Sequence, residues 1–110
     1  MSFESELRAA AGRGEHAAVL RLAAAEIDRA RSDGEPDGQV AGLTAMAVVA
    51  LNWHDLAHAE VLARTALEVA ADVGNRRLES GPRDVLAAVA ARLGAESTTV
   101  SPAINSITLA

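Results

Sequence analysis

Residues 40–73, VAGLTAMAVVALNWHDLAHAEVLARTALEVAADV, hold two apolar helical stretches separated by one short break at Asn52–His54. In the second stretch Leu56, Ala59, Ala63, Ala66, Ala70 and Val73 recur three or four residues apart, which places them on one side of a helix. His58, Glu60, Arg64, Glu68 and Asp72 fall on the opposite side. The first stretch, with its preceding turn, predicts a helix over about 37–51. It is apolar nearly all round through Val40, Leu43, Met46, Ala47, Val48, Val49, Ala50 and Leu51. A helix of that kind is buried on more than one side. Asp37 is placed to cap it, Asp55 to open the next helix, and Gly74 to end that one in a left-handed conformation.

Working outward, the spacing predicts a helix over about 3–12, broken by Gly12-Arg13-Gly14. A second helix follows over about 15–31, with Val19, Leu22, Ala23 and Ile27 inward. The loop SDGEPDG, residues 32–38, stops it. Gly81-Pro82 is read as the opening of a fifth helix that runs to about Leu93, with Gly94 closing it. Residues 95–110, AESTTVSPAINSITLA, change character: hydroxyl and β-branched residues dominate and arginine is absent. The expected organisation is a helical domain over 1–94 and an extended C-terminal tail over 95–110. The fold class is all-α, about five helices in antiparallel hairpins.

Composition supports the helical reading and narrows the function. Of 110 residues 26 are Ala, the strongest helix former, and only Phe3 and Trp53 are aromatic. Small side chains bury little area at roughly 25 cal/mol per Å², so the helices must approach closely to make a core. Every basic residue is Arg, a bias that suits a GC-rich bacterial coding sequence. The net charge is −5 and the Arg residues are scattered except for Arg76-Arg77, so no concentrated basic footprint for nucleic acid is present. Absence of Cys excludes disulfides, thiolate metal ligands and thiol nucleophiles. The opening MSFESELRAAAGRGEH lacks the pattern of a secretory signal. The longest nearly apolar run, Val40–Leu51, is far short of the roughly 20 residues a membrane helix requires. A cytoplasmic protein is expected.

The hairpin at 40–73 resembles a tetratricopeptide repeat, a helix–turn–helix unit of about 34 residues. Leu43 and Met46 stand where that family places large apolar residues. Ala47, Ala59 and Ala66 stand where it places small ones, and Asp55 opens the second helix as its Asp or Asn does. Departures are His54 at the usual turn Gly, Ala50 and Ala63 at the usual aromatics, and Ala71 at the usual Pro. The first hairpin, 3–31, resembles the family chiefly at Gly14-Glu15. The resemblance implies a stack of hairpins that binds a partner protein and carries no catalytic residues.

Leu43, Val48, Val49 and Trp53 are the candidate partner-binding residues, with Trp53 read first as a plug packed under the hairpin. A second copy of the chain is a further candidate partner. His54-Asp55-Leu56-Ala57-His58 resembles the paired histidines of zinc proteases, with Asp in place of their Glu. Because His54 falls in the turn, the pair need not share a face, and neither a metal nor a cofactor is expected. The tail offers Thr98, Thr99, Val100, Ile104, Ile107 and Leu109 either to dock extended in a partner's groove or to be modified. The layout also resembles ribosomal peptide precursors, with a recognition region followed by a core. On that second reading a partner enzyme, such as an N-methyltransferase, acts on residues 96–110.

Overall fold

A computed structural model describes the backbone of residues 2–109 and the side chains of residues 2–95. Five helices follow one another: α1 (Phe3–Gly12), α2 (His16–Asp33), α3 (Pro36–Asn52), α4 (Leu56–Asp72) and α5 (Arg76–Leu109). Among the described residues no strand occurs. Consecutive helices pack on one another, and α3 also packs against α5. The all-α class and the hairpin architecture are therefore as the sequence indicates.

Four turns link the helices and share one geometry. Gly14, Gly34, His54 and Gly74 have φ of 70°, 67°, 59° and 68°, in the left-handed region. The next residue in each turn donates its N–H five residues back. Glu15 bonds the Ala10 carbonyl at 3.0 Å, Glu35 that of Ala30 at 2.8 Å, Asp55 that of Ala50 at 2.8 Å and Asn75 that of Ala70 at 3.3 Å. This is the six-to-one bond of a Schellman turn, which satisfies a carbonyl the ending helix leaves orphaned. The alanines carrying those carbonyls are 2%, 0%, 8% and 0% exposed. The chain is thus built in helical units of twenty residues, each ending Ala-x-x-x-(Gly or His)-x. Two units make a hairpin of forty residues, longer than the roughly 34 of tetratricopeptide repeats.

Burial follows from close approach. Ala59, Ala63, Ala66 and Ala70 on α4 are all fully buried, the stripe expected from spacing, whereas Val73 at its end is half exposed. Three clusters make the core, and α3 contributes to each: Ala47 and Leu51 meet α4 and α5, Ala45 and Val49 meet α1 and α2, and Val40 and Leu43 meet α2 and α4. This is why α3 is apolar all round. Where α2 and α3 meet, two glycines permit contact. A Cβ on Gly42 would lie 2.5 Å from Ile27 Cγ1 and 2.9 Å from the Ala23 carbonyl oxygen; one on Gly38 would lie 2.7 Å from Ala30 Cβ. From α5, the Arg92 guanidinium donates to the Leu51 carbonyl near the end of α3.

Two helix starts differ from the sequence reading. α3 begins at Pro36 after Glu35, so Asp37 lies in its first turn instead of capping it. α5 begins at Arg76, where Asn75 Oδ1 accepts the Arg77 N–H at 3.1 Å, well before Gly81-Pro82. Gly81 is not a helix opening but a point of close approach, its absent Cβ facing Thr44 Cγ2 at 3.3 Å, and Pro82 is fully buried. α5 also continues past Gly94 to Leu109, where the sequence reading places a helix end and an extended tail. The tail side chains at Thr98, Thr99, Val100, Ile104, Ile107 and Leu109 lie outside the described residues.

The glycine positions give opposite expectations that thermal or urea unfolding separates. Gly42→Ala, which by helix propensity alone would stabilise, lowers stability by about 1–3 kcal/mol because the new methyl meets the α2 backbone. His54→Gly raises it by about 1 kcal/mol, since glycine alone adopts the left-handed turn without a Cβ penalty.

Candidate partner-binding groove

Residues of α1, α3 and α5 come together around one depression. α1 brings its backbone close only to α2, while α3 packs closely on α2, α4 and α5. Between α1, α3 and the beginning of α5 this leaves a groove of about 530 Å³. Leu7 of α1, Val40, Ala45 and Val48 of α3, and Leu78 and Pro82 of α5 line it, together with His16 and Val19 at the start of α2. Polar groups are few: Glu4, Asp37, Asn52 and Arg77 also line it. Thr44 Oγ1 is buried and has no hydrogen-bond partner among the described residues. A concave apolar surface with sparse polar groups is the usual form of a binding site.

The four residues singled out from the sequence occupy different places. Val48 is 41% exposed and lines the groove, and Val49 backs it from a buried position. Leu43 is buried in the core beside Ile27, Val40, Ala66 and Ala70, so it is not open to a partner. Trp53 is 57% exposed and is not a plug under the hairpin. Its ring meets His16 edge-on, centroids 5.5 Å apart, and borders a second, smaller depression with Leu20, Met46 and Leu62. Because His16 lines the main groove, the His16–Trp53 pair stands between the two depressions. Leu7, Thr44, Leu78 and Pro82 were not singled out. Their helices are legible, but which face of α1 looks across the groove toward which face of α5 is set only by how the units stack.

The histidine pair is arranged for capping. Asp55 is the residue before α4, and its Oδ1 accepts the His58 N–H at 3.3 Å while Oδ2 lies 2.6 Å from His58 Nδ1. His54 sits in the left-handed turn before it. Among the described residues no group of three or more His, Asp or Glu is placed to hold a metal ion. No helix there is long and apolar enough to cross a membrane. On α2 and its turn, Arg29 pairs with Glu26, with Asp33 at 3.0 Å and with Glu35 at 3.0 Å.

The Asp55 carboxyl is held below the ordinary carboxylate value, first by the backbone N–H of His58 and then by its side chain. A carboxyl depressed on folding contributes stability above its unfolded pKa, and that contribution is lost as pH falls through the folded value. Asp55→Asn keeps an N-cap acceptor without the charge, so the variant's melting midpoint falls less steeply on acidification below about pH 4. Melting curves of the two proteins across that range check it. No family model, curated protein or solved structure matches this chain.

Proposed function

We propose that this chain is a non-catalytic interaction module that takes an apolar segment of a partner protein into the groove between α1, α3 and α5. The observation that carries this reading is the groove itself: Leu7, Val48 and Leu78, from three helices, converge on one apolar concavity. All three odd-numbered helices contribute to this groove, as in repeat solenoids whose concave surfaces bind partners.

A second reading rests on the change at residue 95. The last turn-like sequence, Ala90-Ala91-Arg92-Leu93-Gly94-Ala95, ends where the Ala- and Arg-rich composition ends, and residues 96–110 hold no Arg. That break suits a recognition domain followed by a substrate segment on which a modifying enzyme acts.

Peptides selected from a displayed library against the purified chain test the first reading. Their binding shifts the amide resonances of Thr44, Val48 and Gly81. Val48→Glu weakens binding by about tenfold or more, a loss expected at the centre of an interface. The control Val61→Glu, on an exposed α4 site outside the groove, leaves binding unchanged. Binding that ignores Val48→Glu removes the groove from the account. Intact and fragment masses after co-expression with genomic neighbours test the second reading: mass changes confined to residues 96–110 mark a modification substrate, and an encoded mass leaves the interaction module.

A further inference from the structure

The fifth unit carries the turn sequence of the other four and nothing described that covers it. Ala90 stands twenty residues after Ala70, and Gly94 twenty after Gly74. In the four preceding units the matching alanine is 0–8% exposed, buried where the following helix returns across it. Ala90 is exposed, as are Ala87 and Ala91 beside it and Leu93 at 45%. The same register continues into residues 96–110, where Pro102 stands twenty residues after Pro82 and Ala110 twenty after Ala90.

Gly94 adds a second, independent observation. A Cβ there would meet nothing within 4 Å, so no neighbour requires a glycine, and its φ is not in the left-handed region. Within a helix glycine is disfavoured more than any residue but proline. Gly14, Gly34 and Gly74 likewise have open space around an added Cβ, and positive φ is what glycine provides at each. Gly94 therefore has the sequence of a turn glycine without, in the continuous α5, a turn to make.

We propose that the face of α5 around Ala90 is the docking surface for the chain's own residues 96–110, which turn back at Gly94-Ala95 as a sixth helical unit. The continuous α5 and this folded-back form are two arrangements of one segment, related by a left-handed flip at Gly94. Residues 96–110 are long enough for about four helical turns, and Val100, Ala103, Ile104 and Ile107 have the spacing of one helix face. Glu96 is their only charge, which suits a face of alanines and one leucine. Docking would bury Ala90 as its four counterparts are buried.

The chain has no cysteine, so two introduced ones carry spin labels without background. Labels at Arg83→Cys and Asn105→Cys are separated by about 33 Å along a continuous helix, 22 residues at 1.5 Å each. Across an antiparallel pair they come to roughly 10–20 Å. A short distance that persists when labelled chain is diluted with unlabelled supports the proposal. A distance near 33 Å overturns it, and a short distance that vanishes on dilution also overturns it, by assigning the contact to a second copy. Gly94→Ala reads the same question in the full chain without labels. The melting midpoint falls by about 4–8 °C if Gly94 makes a left-handed turn, whereas a rise, the helix-propensity result, counts against the turn.

Discussion

The bond from each turn residue to the alanine carbonyl five residues earlier organises this fold. It closes a helix, fixes the left-handed residue before it, and sends the chain back along the helix it has just left. Because the acceptor belongs to a buried alanine at Ala10, Ala30, Ala50 and Ala70, the turn and the seam between helices are one feature. A larger residue there would hold the returning helix away and lengthen the route to the turn. Repeating this device every twenty residues gives a stack in which α2, α3 and α4 are 18, 17 and 17 residues long.

Close approach then substitutes for bulky side chains. With so little aromatic content, the core depends on many contacts between small groups, and dispersion at short range is what makes them count. Gly38 and Gly42 bring α3 onto α2, the α4 alanines bring it onto α3, and Gly81 brings α5 toward Thr44. Arg92 adds a polar tie from α5 to the end of α3. The groove is a consequence of the same arrangement. α1 is short and brings its backbone close only to α2, so part of α3 stays open between α1 and α5.

Much of this was legible. The α4 stripe from Ala59 to Ala70, the cap at Asp55, the left-handed Gly74 and the buried nature of α3 follow from spacing and residue type and stand as expected, while Val73 at the end of the stripe is exposed. The twenty-residue period was equally present in the sequence but hidden in single glycines and alanines, residues so frequent here that their register draws no notice. Its third turn uses His54 where the others use Gly, which further obscures it. Gly81-Pro82 misled for a related reason: the pair has the chemistry of a break, yet its glycine serves contact with α3 and its proline is buried.

The sequence by itself determined that the chain is helical, where most helices begin and end, and which face of each is apolar, because these depend on neighbours within a turn or two. Tertiary structure alone decided which apolar residues remain open. Leu43 and Val48 lie on the same all-apolar helix, and only the positions of α2, α4 and α5 bury the first and leave the second in the groove. Trp53 is exposed beside His16 for the same reason. Exposure depends on elements far apart in the chain, and local spacing holds no record of their distance.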